Sequence, residues 1–268
     1  MYSPLRTSRV KLSVGQIFWH EVGQGPNLVF LHGSWHDSSQ WLRTIEHLSS
    51  YFHCFVPDLL GFGESEYPNI HYSIDLEVEC LAEYLNTLKL QQVYLIAHSL
   101  GGWVATSYAL KYPDRIKGLV LLAPEGVQAG NRQQRWQTAS WLVSKPPVFF
   151  WLLQAIYPIA KLLGGKKKIE GLLEFRNRLI ESAVAMQLLF GRRRAEIIAE
   201  LVDDRLPLLT APMLLLYGSQ DTSAAASLCQ AYTALALNAE LQSIGLESSD
   251  LLEEVPELVA KYIRDFAR

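Results

Sequence analysis

The chain has 268 residues, of which 49% are hydrophobic and 19% charged, and its formal net charge at pH 7 is −3. This length suits one large α/β domain or one domain with an insertion, and the composition excludes wholesale disorder. The slight negative charge gives no electrostatic basis for binding nucleic acid.

Short apolar, β-branched runs that end in Gly, Asp or Ser recur along the chain, with helical patterns between most of them. Runs that are apolar on both faces are typical of strands buried in a parallel sheet. The predicted strands are 92–97, 118–122, 212–217, 240–244, Asn27–Leu31 and His53–Pro57, after an antiparallel hairpin of 9–13 and 16–21 turning at Val14-Gly15. This alternation predicts an α/β fold with a doubly wound, mostly parallel sheet of about eight strands.

Several of the intervening helices carry recognisable boundary signals. Asp37, followed three residues later by Gln40, resembles a capping box at the start of the first helix. A helix is predicted over 100–112, ending before Pro113, and the last helix begins with Pro256 at a first-turn position.

The alternation of strands and helices stops between Val127 and Leu206. The composition there swings between an apolar stretch, 146–163, and basic clusters at 166–168 and 192–194. We therefore predict that residues 1–126 and 207–268 form the core and that 127–206 form a helical cap. The apolar stretch is shorter than the ~20 apolar residues that a membrane-spanning helix needs. We interpret it as a lid facing an apolar pocket, with a peripheral membrane contact or a dimer contact as alternatives.

The segment Ala97-His98-Ser99-Leu100-Gly101-Gly102 has the form of a nucleophile elbow. A strand that runs directly into a helix must turn tightly, and the small residues Ala97 and Gly101 let the two backbones pass close together. Such a turn raises the Ser99 hydroxyl above the carboxyl end of the sheet, where open α/β folds bind their ligands. Ser99 is the predicted nucleophile.

Two further motifs follow buried strands at the same predicted edge of the sheet. After the first, His32-Gly33-Ser34, the backbone N–H groups of Ser34 and Leu100 are expected to point at a developing oxyanion. The second is Asp58-Leu59-Leu60-Gly61-Phe62-Gly63-Glu64-Ser65. Its glycines indicate that the backbone passes through places where there is no room for a side chain.

With these three motifs the chain resembles the α/β-hydrolase-fold superfamily, in its serine esterase and lipase-like branch with a helical cap. The resemblance is close over 27–125 and moderate over 212–266, and it does not extend to the insertion. In this family the catalytic acid stands in a Gly-x-x-Asp motif after the next-to-last strand. Tyr217-Gly218-Ser219-Gln220-Asp221 fits that motif, so the resemblance implies Asp221 as the acid, with a helix-capping role as the alternative.

The family's catalytic histidine stands in Gly-His-x-x-x-x-Glu-x-Pro after the last strand. Glu254-Val255-Pro256 match the end of that pattern, but Ser249 occupies the histidine position, and no histidine follows His98. Losing this base costs on the order of 10⁶ in kcat. Three interpretations remain: an impaired or non-hydrolytic ligand-binding protein, an ester hydrolase that uses His36 or Asp250 as a substitute base, and an interaction or structural module in which Ser99 only packs.

The expected pocket lies over Ser99 and is lined by Trp35, Leu100 and cap residues from Trp141 to Ile156. This lining suits a small to medium apolar, ester-like ligand. No metal-ligand cluster, phosphate loop or dinucleotide fingerprint occurs in the sequence, so no cofactor, metal ion or nucleic-acid partner is predicted.

The cellular location is predicted from the N-terminus and the cysteines. The first fifteen residues lack the apolar region of a signal peptide. The three cysteines, Cys54, Cys80 and Cys229, are widely spaced and are interpreted as buried thiols in a reducing compartment. The expected location is cytoplasmic.

Overall fold

The computed structural model describes residues 4–129, 132–144, 146–162, 165–219, 223–245 and 251–268. Within these residues, eight strands form one sheet in the order β1-β2-β4-β3-β5-β6-β7-β8. The strands are β1 (Arg6–Lys11), β2 (Gln16–Gly23), β3 (Asn27–Leu31), β4 (His53–Pro57), β5 (Val93–His98), β6 (Ile116–Leu122), β7 (Met213–Gly218) and β8 (Ala239–Ile244).

The pairing of these strands confirms the predicted sheet. Strand β2 runs antiparallel to both β1 and β4, and every other neighbouring pair is parallel. The first hairpin differs from the prediction, because Lys11 pairs with Gln16 and the Leu12 N–H donates to the Gly15 carbonyl at 2.8 Å. The turn therefore spans residues 12–15, and not Val14-Gly15 alone, so the first strand ends two residues earlier than predicted.

Helices follow most strands, and short turns of other helix types join some of them. The α-helices are α1 (Leu42–Leu48), α2 (Ile74–Thr87), α3 (Leu100–Lys111), α4 (Arg132–Leu142), α5 (Val148–Leu162), α6 (Lys166–Glu181), α7 (Ala183–Met186), α8 (Arg194–Glu200), α9 (Ser223–Leu235), α10 (Leu251–Glu254) and α11 (Pro256–Phe266). A 3-10 turn, Ser38–Trp41, precedes α1, and a π-helical turn, Gln187–Gly191, follows α7.

Both faces of the central strands are buried, as their continuous apolar sequences predict. One face packs against α1 and α11 through a cluster that includes Phe30, Ile96, Val120, Ile45 and Ile263. Residues of the opposite parity in the same strands are also fully buried, and α3 packs on β5 and β6. The three cysteines are buried free thiols.

The chain divides into two compact units, Met1–Gly130 with Glu200–Arg268, and Asn131–Ala199. The first, called the core unit below, contains the whole sheet. The second, called the helical unit, has buried residues of its own, among them Leu142, Leu179 and Leu188. Within it the rings of Trp136 and Phe190 stack with their centroids 5.6 Å apart. No helix in the described ranges is both long and apolar enough to cross a bilayer.

The two segments of the core unit that flank the helical unit are hydrogen-bonded to each other. The Val202 N–H donates to the Gly126 carbonyl at 2.9 Å, and the Gln128 N–H donates to Asp203 Oδ1 at 2.8 Å. Glu200 also ties the second of these segments to α2, because its carboxylate accepts from the Ile74 N–H at 3.0 Å. These bonds hold the two ends of the insertion together on the core.

Candidate active site

Ser99 lies at the junction of β5 and α3 in a strained backbone conformation, with φ +49° and ψ −113°. Such a conformation is costly for a residue with a Cβ and persists only where neighbouring contacts impose it. Here the Ser99 N–H donates to the Leu122 carbonyl at 3.0 Å, and its own carbonyl accepts from the Glu125 N–H at 2.9 Å and the Gly102 N–H at 3.0 Å. The tight strand-to-helix turn expected of a nucleophile elbow is present.

The glycines after Ser99 are required by close backbone packing. A Cβ on Gly101 would lie 2.6 Å from the carbonyl oxygens of both Leu31 and His32, and a Cβ on Gly102 would lie 2.6 Å from Pro124 Cβ. Contacts this short do not occur for real Cβ atoms. The start of α3 is thus packed directly on the end of β3 and on the loop after β6.

The two predicted oxyanion residues lie in segments that adjoin the elbow. Ser34 follows β3, which pairs with β5, and a Cβ on Gly33 would lie 2.5 Å from His98 Nδ1. The Ser34 side chain is 2% exposed, and its hydroxyl has no hydrogen-bond partner among the described residues. Leu100 is the first residue of α3, so its N–H is one of the amides that have no partner within the helix. Their role toward an oxyanion stays a prediction.

His32 holds the backbone around it and has no free nitrogen for catalysis. Its Nε2 accepts from the Leu59 N–H at 3.0 Å, so the proton is on Nδ1, which lies 2.9 Å from the Gly33 carbonyl. Burial lowers the pKa of His32 below its ordinary value, despite the opposing effect of the Gly33 hydrogen bond. A neutral imidazole with both nitrogens engaged cannot take a proton from Ser99.

Gln40 connects Gly33 with His98 and does not complete the capping box that the sequence suggested. Its Oε1 accepts from the Gly33 N–H at 2.9 Å, and its Nε2 lies 3.0 Å from His98 Nδ1. Asp37 does cap the 3-10 turn, through a 2.9 Å bond from the Ser39 N–H. The correction has a simple cause: Gln40 sits in a 3-10 turn, and its side chain reaches the end of β3 and not back to Asp37.

His36, the first candidate substitute base, is exposed on the loop that follows Ser34. Its ring centroid lies 6.2 Å from that of His98, and it lines a cavity of about 300 Å³. The cavity is also lined by Ser39, Gln40, Arg43, Leu252 and Glu253. No hydrogen bond joins His36 to Ser99 within the described ranges.

Asp58 and Glu125 are two structurally important residues whose contacts sequence reasoning missed. The buried Asp58 accepts from the Ser38 N–H at 2.6 Å and the Glu64 N–H at 2.7 Å, so it joins the loop after β4 to the turn after β3. Glu125 donates its N–H to Ser99, and its carbonyl accepts from the Tyr232 hydroxyl. The glycine-rich motif around Asp58 was the available signal; for Glu125 only its place after β6 was.

Some of the remaining predicted site residues lie within the described part of the chain, and the others lie outside it. Trp35 is partly buried in the core unit, whereas Trp141 and Ile156 belong to the helical unit, with exposed fractions of 49% and 40%. Asp221, Ser249 and Asp250 lie outside the described residues. The acid, the vacant histidine position, the second substitute base and the pocket therefore stay predictions.

Comparison with known proteins agrees with the order of the strands and with the turn at Ser99. Residues 26–144 match the family model described as "alpha/beta hydrolase fold". The structure of Cfl2 from Burkholderia cenocepacia superposes with a TM-score of 0.75 at 22% identity, covering 100% of this chain and 99% of that one. With the sheet order and the elbow at Ser99, these similarities show that the chain has the α/β-hydrolase fold.

Among curated proteins the similarity is partial. The "Abhydrolase domain-containing protein abhd-5.2" of Caenorhabditis elegans is 32% identical over 146 residues, 52% of this chain and 32% of that protein. The mouse "1-acylglycerol-3-phosphate O-acyltransferase ABHD5" is 35% identical over 128 residues, 44% of this chain and 36% of that protein. The chain thus spans about a third of the length of these relatives.

Proposed function

We propose that this chain is an α/β-hydrolase-family protein that binds a small to medium apolar, ester-like ligand over Ser99 and hydrolyses it poorly or not at all. The observation that carries the proposal is the position of the seven histidines, all at or before residue 98. The family's base follows the last strand, and in this chain Ser249 occupies that position.

A serine hydroxyl is a weak nucleophile unless a neighbouring group accepts its proton. Two histidines close to the elbow, His32 and His98, have ring nitrogens that are engaged elsewhere. His32 uses both ring nitrogens, and His98 Nδ1 is bonded to Gln40. With an oxyanion hole but no base, a residual acceleration of about 10³ over water is the expected limit.

Ligand binding is favoured over a purely structural module by the strain at Ser99. A backbone conformation of this kind costs on the order of 1–3 kcal/mol, and a residue that only fills space would not need it. The buried hydroxyl of Ser34 supports the same conclusion, because it has no hydrogen-bond partner among the described residues and such groups usually have one. The name of the mouse relative supports an acyl ester as the ligand class.

A second candidate function is ester hydrolysis with His36 as the base. His36 is an exposed histidine beside the predicted oxyanion turn, and its ring is 6.2 Å from that of His98, which directly precedes Ser99. This function requires a movement that brings His36 within ~2.6–3.2 Å of the Ser99 hydroxyl. Asp250 remains the alternative base.

The test compares hydrolysis of p-nitrophenyl acyl esters by the wild type, Ser99→Ala and Ser249→His. We expect the wild type and Ser99→Ala to differ little, and Ser249→His to gain at least about 10² in kcat/KM. Binding of a non-hydrolysable acyl analogue by all three proteins, measured by calorimetry, supports the ligand-binding role.

A wild-type kcat of about 1 s⁻¹ or more that Ser99→Ala abolishes contradicts the proposal and favours the second candidate. His36→Asn then decides which base is used. His47→Asn is the matched control, because His47 is also exposed in the core unit but lies on α1. If neither the wild type nor Ser99→Ala binds the analogue, the structural-module interpretation replaces the proposal.

A further inference from the structure

Helix α5 presents an apolar stripe to solvent. Val148, Trp151, Leu152 and Ile156 have exposed fractions of 58%, 55%, 53% and 40%. Their spacing of three, four and eight residues from Val148 places them on one side of the helix, within an arc of roughly 140°. Trp141 of α4 is exposed as well. An amphipathic helix normally turns such a stripe inward, so this exposure needs an explanation.

The stripe is not the result of a helix that lacks packing contacts. The other side of α5 is packed within the helical unit, where Leu153 is buried and the Arg176 guanidinium lies 3.9 Å from the ring centroid of Phe150. The Tyr157 hydroxyl donates to Glu170 Oε1 of α6 at 2.8 Å. Helix α5 therefore has an inner face of its own, and the stripe is a second apolar face.

The charge of the helical unit is opposite to that of the rest of the chain. Residues 131–199 contain 12 of the 24 Lys and Arg residues but only 4 of the 27 Asp and Glu residues. Their formal charge is thus +8, whereas that of the whole chain is −3. The exposed cations within the described part of this unit are Lys161, Lys166, Lys167, Arg193 and Arg194.

We propose that the α5 stripe docks on the surface of an anionic lipid bilayer. An apolar face that carries tryptophan, in a unit rich in Lys and Arg, is the composition of a helix that lies in the interface plane. Each basic residue near an anionic surface strengthens binding about fivefold, and the effect decays within a Debye length. At 15 residues, α5 is too short to span the bilayer.

Charge also favours a bilayer over a second copy of the chain on this face. A symmetric dimer through α5 would bring together two units of formal charge +8, since the same patch meets itself in a two-fold interface. The same charge attracts phosphatidylglycerol or phosphatidylserine headgroups. The proposed partner is therefore a lipid surface with net negative charge.

The experiment is vesicle flotation of the full chain, using phosphatidylcholine alone and phosphatidylcholine with about one third phosphatidylglycerol. We expect binding to the anionic vesicles that falls with ionic strength, and at least tenfold weaker binding to the neutral ones. Leu152→Ser should reduce the partition coefficient about tenfold. Leu237→Ser is the matched control, because Leu237 is 75% exposed but belongs to the core unit, and it should leave the partition coefficient unchanged.

Two further comparisons separate the contribution of charge from that of tryptophan insertion into the bilayer. Lys167→Glu should weaken binding by more than tenfold, whereas Lys117→Glu, an equal change at an exposed lysine of the core unit, should not. Brominated phosphatidylcholine should quench tryptophan fluorescence in the wild type. Trp151→Phe should reduce that quenching while retaining most of the binding, because it preserves an apolar ring at the same place.

Equal reductions by Leu152→Ser and Leu237→Ser, or equal binding to neutral and anionic vesicles, overturn the proposal. So does self-association by analytical ultracentrifugation that Leu152→Ser abolishes in a protein that binds no vesicles, since the occupant is then a second copy. Absence of vesicle binding in the wild type, with unchanged circular dichroism, also overturns it.

Discussion

The Nε2 atom of Gln40 lies 3.0 Å from Nδ1 of His98, so a side chain from the turn before α1 fixes the imidazole that directly precedes Ser99. The amide is the donor in this pair, which leaves the proton of a neutral His98 on Nε2. Because Gln40 also accepts from the Gly33 N–H, one carboxamide ties the end of β3 to the elbow after β5.

Replacing Gln40 by Leu should lower the free energy of unfolding by about 1–3 kcal/mol, because it leaves the Gly33 N–H and the His98 ring without their partner. Urea unfolding measures this loss. Ser50→Ala changes an exposed residue just after α1 and should cost less than about 0.5 kcal/mol. Equal effects of the two substitutions would refute the connecting role of Gln40.

Gly101→Ala should prevent stable folding or lower the melting temperature strongly. The added Cβ would lie 2.6 Å from the carbonyl oxygens of Leu31 and His32, and Leu31 is held by its pairing with β5. Gly171→Ala is the matched control in α6, where an added Cβ meets nothing within 4 Å. There, alanine should stabilise the helix by about 0.5–1 kcal/mol. Thermal unfolding of the two variants should shift in opposite directions.

Ser99→Gly should be more stable than Ser99→Ala by about 1 kcal/mol, because only glycine adopts φ +49° and ψ −113° without strain. Ser107 lies within the regular part of α3, so glycine there should be about 1 kcal/mol less stable than alanine. Thermal unfolding of the four variants gives both differences. If glycine is also the less stable residue at position 99, the elbow is not strained.

Glu77→Gln should change how stability depends on pH. Burial raises the pKa of Glu77 from its ordinary value of 4.5 to about 8, although the Leu60 N–H bond opposes the shift. The folded chain therefore holds this proton more tightly than the unfolded chain. This contribution to stability is fully present below the unfolded pKa and is lost as pH rises toward the folded one.

Between these two pKa values, the wild type should lose up to about 1.4 kcal/mol per pH unit relative to Glu77→Gln. Urea unfolding across this range measures the difference. Glu46→Gln serves as the control, because Glu46 is exposed on α1, and its difference from the wild type should not vary in this way. Parallel stability curves for the wild type and Glu77→Gln would show that the carboxyl is ionised in the folded chain.

Local patterns predicted the sheet well because its strands are apolar on both faces and bounded by turn residues. The strands Asn27–Leu31 and His53–Pro57 have the predicted bounds. The elbow at Ser99 was equally predictable from the sequence, since a tight strand-to-helix turn requires small residues at known positions. In each case the deciding interaction is between near neighbours in sequence.

The contacts that prediction missed join residues far apart in the chain. Asp58 reaches the Ser38 N–H from twenty residues away, and Gln40 reaches His98 across fifty-eight. Neither hydrogen-bond partner can be predicted from the pattern of apolar residues within one helix or strand. The burial of Glu77 was missed for a related reason: an acidic residue in the first turn of a helix is usually solvated, and its partner, the Leu60 N–H, lies seventeen residues earlier in the chain.

The bond between Val202 and Gly126 joins the segment that precedes the helical unit to the segment that follows it. Because the two ends of the insertion arrive side by side, a short Gly/Ser linker between residues 130 and 200 would span the same gap. The sheet can therefore carry helices of other length and surface chemistry at the same place. In such a protein, preference for a surface or a ligand can change by exchanging one segment, while the residues that fold the sheet and bend the chain at Ser99 stay as they are.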